Sequence, residues 1–243
     1  AWRVSEEEFW KENMNFVEYF KLRGSVSQTG NDALLDADGN YDQSVQYLNT
    51  FGFTDSYIFG TTENTRLYPT RTPNPNITWE RGTTYNLGFD FKFLNSKLTW
   101  ESDLFYHKRT HMLISRNASL PEISGITLPR ENLGEMENKG FETMIGYSDK
   151  IGDFEYDLSV NGTYAINKIL FWDETPGIPE YKKSTDRPVG SALYYVSDGV
   201  FNDQAEIDGY PHWSGAVPGD IKFKDINNDG KINADDQMRR DKN

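Results

Sequence analysis

Cysteine is absent from this chain of 243 residues, which excludes a disulfide-stapled scaffold and a thiolate metal site. Basic residues are also scarce, with 25 Lys and Arg against 38 Asp and Glu, and the formal charge is −13. A nucleic-acid partner is therefore not expected, because a phosphate backbone would be repelled. The acidity is compatible with cation binding or with an uncharged ligand such as a sugar.

Long apolar runs are missing as well. No stretch of about 18 apolar residues occurs, so the sequence predicts no transmembrane helix. The first residues lack a basic region followed by an apolar one, so no signal peptide is expected. Neither absence excludes a β-barrel, whose alternating strands score poorly on hydropathy.

Aromatic residues, in contrast, are abundant at 14%, and many of them alternate with polar residues. In residues 84–93 the large apolar side chains share one face of a predicted strand, and residues 98–107 repeat the pattern after a predicted tight turn at 94–97. A second hairpin is predicted over 141–166 around a turn at 148–153, and an earlier strand over 20–26. Before that strand, Ser5 and Glu8 predict a capping box for one or two helical turns that carry Phe9 and Trp10.

The connections between predicted strands differ in length. Those at 94–97 and 148–153 are short, whereas those at about 30–82, 113–137 and from 169 onward are long and rich in Gly, Pro, Asn and Asp. Such alternation is typical of an outer-membrane barrel with short periplasmic turns and long extracellular loops. A soluble β-sandwich would bury the same apolar stripe against a second sheet, and periodicity alone leaves both folds open.

A twelve-residue motif at 225–236 predicts a Ca²⁺ site. Its loop positions carry the oxygen ligands that this hard cation prefers, and a glycine at position 6, Gly230, permits a sharp bend. The candidate metal ligands are the side chains of Asp225, Asn227, Asp229, Asn233 and Asp236, together with the backbone carbonyl of Lys231. A solvated Asp/Asn turn that binds nothing is the alternative. The strand count predicts that the motif lies on the extracellular side.

Seven motifs, in order along nearly the whole chain, resemble landmarks of the SusC/RagA-type TonB-dependent outer-membrane transporters. They are AWRVSEE (1–7), LRGSVSQTGN (22–31), NPNITWE (74–80), YNLGFDF (85–91), YHKRT (106–110), NLGEMENKGFE (132–142) and PGDIKFKDINNDGKINADD (218–236).

This resemblance implies an all-β fold, namely the antiparallel up-and-down strands of an incomplete transmembrane β-barrel. It implies a place in the outer membrane of Bacteroidetes-like cells and the import of oligosaccharides or peptides. The implied partners are a SusD-like surface lipoprotein, the TonB complex, reached through parts of the receptor that this chain lacks, and outer-membrane lipid. No plug domain is recognisable, and about 22 strands would be needed to close such a barrel. Residues 1–243 are therefore expected to be part of the barrel domain, with about five strands at 18–168 and a long extracellular loop at 169–243.

Two other function classes are compatible with parts of the sequence. A soluble, calcium-stabilised carbohydrate-binding or dockerin-like module would explain the loop at 225–236, although a dockerin carries two such loops on helices. A glycoside hydrolase would need a pair of carboxylates. The candidates for that pair lie on the polar faces of the predicted strands, where a hydrated lumen explains them better: Glu101, Asp103, Glu142, Glu155 and Asp157. No enzyme activity is expected.

Overall fold

The structure, a computed structural model, describes residues 1–14, 16–32, 46–116 and 128–241. The chain divides into two compact units, Ala1–Asp173 and Glu174–Asn243. No helix in the described ranges has the length and apolarity needed to cross a membrane.

The first unit consists mainly of strands. Its elements are β1 (Trp2–Arg3), a 3₁₀ helix (Val4–Glu6), α1 (Glu8–Asn13), β2 (Tyr19–Asn31), β3 (Thr50–Phe59), β4 (Thr62–Arg71), β5 (Glu80–Phe93), β6 (Leu98–Ser115), β7 (Arg130–Ile151) and β8 (Phe154–Phe171). Six of these strands form one antiparallel sheet in the order β1-β2-β5-β6-β7-β8, and β3 pairs with β4 in a separate hairpin. The predicted antiparallel up-and-down strands are therefore confirmed.

The hairpin between β7 and β8 is longer and tighter than the sequence predicted. Pairing continues past residue 147 to Ile151, opposite Phe154, so only Gly152 and Asp153 form the turn. Gly152 has a φ of 62°, a conformation that glycine adopts without steric penalty.

Two further predictions need correction. The capping box is wrong, because Ser5 lies inside the 3₁₀ helix and α1 begins after Glu7, which makes no side-chain capping hydrogen bond. The connection at about 30–82, predicted as a single long loop, contains the hairpin of β3 and β4.

The second unit is small and has short elements. They are a 3₁₀ helix (Glu180–Lys182), β9 (Ala192–Tyr195), β10 (Ser197–Val200), α2 (Gln204–Asp208), β11 (Ile221–Phe223), a 3₁₀ helix (Ala234–Asp236) and β12 (Gln237–Arg240). Strand β10 pairs with β11 and β12 with β9, both antiparallel. Phe201 and Ile207, each 1% exposed, are its most buried apolar side chains. The segment from 169 onward, predicted as a long loop, thus contains short strands and helices, and its extracellular position stays a prediction.

Candidate functional site

One face of the large sheet is apolar and exposed. The register of the strands places Leu87 opposite Leu104, Leu104 opposite Phe141 and Phe141 opposite Tyr164. Each of these four side chains is between 41% and 58% exposed. Because successive residues of a strand point to opposite faces, the whole row belongs to one surface. This surface, the apolar face, requires an apolar environment.

The opposite face is polar and carries a charged cluster. Arg23 on β2 donates from Nε to Asp90 on β5 at 2.9 Å and from Nη2 to Asp103 on β6 at 2.8 Å. The guanidinium lies over Gly88, where an added Cβ would be 2.6 Å from the Arg23 Cζ atom. The charged cluster therefore ties together three neighbouring strands, and the absence of a side chain at Gly88 leaves room for it.

This charged cluster was missed by sequence reasoning. The alternation predicts Asp103 on the polar face, but its partner Arg23 lies 80 residues away in sequence and only the strand register brings the two together. A glycine in the middle of an otherwise regular strand was the available signal, since such glycines often mark a close approach of another group.

The carboxylates considered for hydrolase chemistry have structural partners in several cases. Asp103 pairs with Arg23, Glu155 pairs with Lys150 at 2.9 Å, and Asp157 accepts a hydrogen bond from the Ser148 hydroxyl. Carboxylates that are paired in this way stabilise a polar surface, which agrees with the interpretation of this face as the wall of a hydrated lumen.

The loop at 225–236 turns its side-chain oxygens toward its own backbone. Asp225 accepts hydrogen bonds from the backbone N–H groups of Gly230 at 2.8 Å and of Asp229 at 3.2 Å. Asn227 also accepts from the Asp229 N–H, at 3.0 Å, and Asp229 accepts from the Lys231 N–H at 2.9 Å. The side chains of Asp225, Asn227 and Asp229, at loop positions 1, 3 and 5, are thus held in place by hydrogen bonds from the backbone of the tight turn.

Asp236, at the last position of the loop, connects the two ends of the loop. Asp236 is fully buried, and its two oxygens accept from the backbone N–H groups of Ile226 at 2.9 Å and Asn233 at 2.8 Å. Asn233 in turn accepts from the Asp235 N–H and caps the 3₁₀ helix that follows. Gly230 has a φ of 80°, so the bend expected of this glycine is present.

The hydrogen bonds around Asp229 favour its ionised form. Hydrogen bonds from the Asn227 side chain and the Lys231 backbone N–H lower the pKa of Asp229 below its ordinary value. Each carboxylate oxygen can accept an N–H and still bind a cation, since it has more than one lone pair. The donor set, all oxygen, suits Ca²⁺. Within the described part of the chain, no group of three or more His, Cys, Asp or Glu residues is arranged to hold a metal, and the Ca²⁺ site stays a prediction.

The second unit also holds an aromatic core that sequence reasoning did not identify. The ring of Phe201 lies 6.0 Å from Tyr210 and 6.4 Å from Trp213, which lies 5.4 Å from Phe223. Lys222 pairs with Glu206 at 2.5 Å. These contacts join β11 to the segment around α2, and no periodic pattern in the sequence predicted them.

Comparisons with known proteins agree on one family. Residues 9–236 match the family model described as TonB dependent receptor-like, beta-barrel. The chain is 26% identical over 251 residues to TonB-dependent receptor P3 of Formosa agariphila, with 98% of this chain and 24% of the relative covered. It is 32% identical over 177 residues to TonB-dependent receptor SusC of Bacteroides thetaiotaomicron, with 70% of this chain and 16% of that protein covered.

Solved structures show the same fold. The RagAB peptide importer in the "open-open" state matches with a TM-score of 0.68 at 18% identity, over 99% of this chain and 24% of that chain. The RagAB peptide transporter matches with a TM-score of 0.64 at 20% identity, over 96% of this chain and 25% of that chain. The resemblance to SusC/RagA-type receptors is thereby confirmed.

These relatives are receptors and not enzymes, as expected, and a soluble calcium-stabilised module is not favoured. The chain spans about a quarter or less of their length. A sheet with one apolar and one polar face and a family match over residues 9–236 lead to one conclusion: the chain belongs to the TonB-dependent receptor-like β-barrel family.

Proposed function

We propose that the complete receptor imports oligosaccharides or peptides through the outer membrane. In this proposal a SusD-like surface lipoprotein helps to capture the substrate, and the TonB system supplies the energy. The observation that carries the proposal is the family match over residues 9–236, together with the likeness to SusC and to the RagAB peptide importer.

The two faces of the sheet support passage rather than chemistry. The family is one of outer-membrane proteins, so the apolar face lies against lipid in the bacterial outer membrane. The polar face, with its charged cluster of Arg23, Asp90 and Asp103, then lines a hydrated interior. A hydrated wall with satisfied charges lets a polar solute pass without binding it tightly.

Uptake by intact cells tests this proposal. Cells that lack the receptor, with and without the complete receptor restored, are given fluorescent oligosaccharides and fluorescent peptides in parallel. We expect uptake of one substrate class to require the receptor and to stop when an uncoupler removes the inner-membrane proton gradient. Removal of the lipoprotein gene should lower the same uptake. Equal uptake of both classes with and without the receptor would contradict the proposal.

We also propose that the loop at 225–236 binds Ca²⁺ and that the ion orders residues 218–236. When bound, the ion would be held by the side chains of Asp225, Asn227, Asp229, Asn233 and Asp236 and by the carbonyl oxygen of Lys231. Support comes from the all-oxygen donor set, the φ of 80° at Gly230 and the burial of Asp236. An extracellular site can be weak, because Ca²⁺ is plentiful there.

Calorimetry on the complete receptor tests the Ca²⁺ site. Asp225→Ala with Asp229→Ala should abolish Ca²⁺ binding and the metal-dependent protection of residues 218–236 from hydrogen exchange. Asp235→Ala is the matched control, since the Asp235 carboxylate pairs with Lys182 at 2.7 Å and is not a predicted ligand. Equal Ca²⁺ binding before and after the double substitution would refute the site.

A further inference from the structure

The N-terminal residues place a group of aromatic side chains on the apolar face of the sheet. Trp2 on β1 lies opposite Leu22 of β2, in the same antiparallel register that extends across the sheet. From α1, the ring of Trp10 lies 5.0 Å from the ring of Phe20, which is also on β2. Since Phe20 and Leu22 are two residues apart on one strand, both contacts lie on one face.

This contact continues an aromatic row across the strands. The ring of Phe20 stacks on Phe91 at 4.5 Å, and Phe91 stacks on Trp100 at 5.4 Å. Trp100 lies opposite Ile145, and Ile145 opposite Val160. The row therefore begins with the helix and runs over β2, β5, β6, β7 and β8 at a single level of the sheet.

Large parts of these aromatic side chains remain uncovered. Trp2 is 47% exposed, Phe9 is 53% exposed and Phe16, in the turn between α1 and β2, is 71% exposed. The polar ends of the two indoles have partners, because Trp2 donates to Glu7 at 2.8 Å and Trp10 to the carbonyl of Val17 at 3.3 Å. An apolar ring with a satisfied N–H suits the boundary between acyl chains and headgroups.

The position of this group along the strands is given by a neighbouring turn. Glu18 accepts hydrogen bonds from the backbone N–H groups of Asn95 and Ser96, the latter at 2.7 Å, in the short turn between β5 and β6. Trp2, Phe9, Trp10 and Phe16 are therefore close to the short-turn end of the sheet. In outer-membrane barrels this end faces the periplasm.

We propose that Trp2, Phe9, Trp10 and Phe16, the aromatic anchor, insert into the periplasmic leaflet of the outer membrane. Lipid is the occupant because Trp2 and Trp10 adjoin the apolar face and the ring of Phe9 lies 6.4 Å from that of Trp2. In the proposed function the apolar face lies against lipid. The charged residues of α1 agree with this placement in the membrane. Lys11 pairs with Glu6 at 3.2 Å. Glu8 lies roughly 150° around the helix axis from the side that carries Phe9 and Trp10. The helix is thus an interfacial one, with an apolar side in lipid and a charged side in water.

Fluorescence quenching in vesicles tests the aromatic anchor. The complete receptor, in a background without other cysteines, carries one cysteine in place of Phe9, Phe16, Glu8 or Val160 and is labelled with one small fluorophore. It is reconstituted into phosphatidylethanolamine–phosphatidylglycerol vesicles with doxyl-labelled lipid, or is exposed to iodide in water. Val160 is the lipid control because it belongs to the same row, and Glu8 is the aqueous control on the same helix. Migration on unheated gels verifies that each variant is folded.

We expect doxyl lipid to quench the label at position 9 or 16 nearly as strongly as at 160, and about threefold or more strongly than at position 8. Iodide should show the reverse order. The proposal is overturned if neither position 9 nor position 16 is quenched by lipid. Iodide quenching at both would place the aromatic anchor in periplasmic water, and protection from both quenchers would place it under protein.

Discussion

The two units of this chain differ in where their most exposed and most buried apolar side chains lie. In the first unit, large apolar residues of the long strands are exposed, among them Leu158 at 65% and Val160 at 74%. In the second unit, Phe201 and Ile207 are each 1% exposed. The difference follows from how each unit handles apolar surface, since lipid can replace an internal core for the sheet, whereas the second unit encloses a small apolar core of its own.

The largest effect is expected when the core of the second unit is emptied. Phe201→Ala removes a buried ring and should destabilise that unit by about 3–5 kcal/mol, because little water can fill the cavity. Val200→Ala is the matched control, since Val200 is 49% exposed. Limited proteolysis of the complete receptor should show faster cleavage within 174–243 for Phe201→Ala only, and a slow rate for both variants would contradict the assigned core.

The next effect tests the lipid environment of the sheet. Leu87→Arg puts a charge on the apolar face and should cost about 2–4 kcal/mol if Leu87 lies near the middle of the bilayer. Asn86→Arg, one residue away on the polar face, should cost much less because its side chain reaches water. Urea unfolding in vesicles measures both. Similar losses of unfolding free energy for the two variants would contradict the assignment of the faces.

The smallest expected effect is on the stability of the second unit at acidic pH. The backbone N–H of Asn202 and, next, the ammonium group of Lys222 hold the pKa of Glu206 below its ordinary value. A carboxylate whose pKa is lower in the folded state stabilises the fold above its unfolded pKa, and this contribution is lost as the pH falls through the folded pKa.

The second unit should therefore lose stability below a pH of about 4.3, and Glu206→Gln should reduce that loss. Asp208→Asn is the control, because Asp208 is exposed and accepts one side-chain hydrogen bond, from Gln204. Hydrogen exchange of residues 197–223 between about pH 3 and pH 6, a range that spans the unfolded pKa of Glu, would measure this loss of stability. If Glu206→Gln loses as much stability at low pH as the unsubstituted protein, the Glu206 carboxylate is not the cause of that loss.

Sequence reasoning predicted the long strands well because their residues alternate strictly. In β5 the five large apolar residues from Tyr85 to Phe93 identify the apolar face without reference to any other strand. The helix start was predicted less well. Ser5 and Glu8 have the spacing of a capping box, but Ser5 lies inside the 3₁₀ helix, and Glu7 is the residue that precedes α1.

The candidate loop at 225–236 also has features that the sequence predicts and one that it does not. Its ligand order and the bend at Gly230 could be read from the sequence, because these depend on neighbours along the chain. The burial of Asp236 could not, since it depends on how the surrounding segments fold.

The sequence by itself determined the alternating strands, the tight turns, the family and the order of the oxygen donors at 225–236. These features rest on local geometry and on short motifs. Only the tertiary structure decided the charged cluster of Arg23, Asp90 and Asp103, the packing of Trp10 on Phe20 and the core around Phe201. Each of these requires a contact between separate elements, and strand register or chain packing, rather than periodicity, creates that contact.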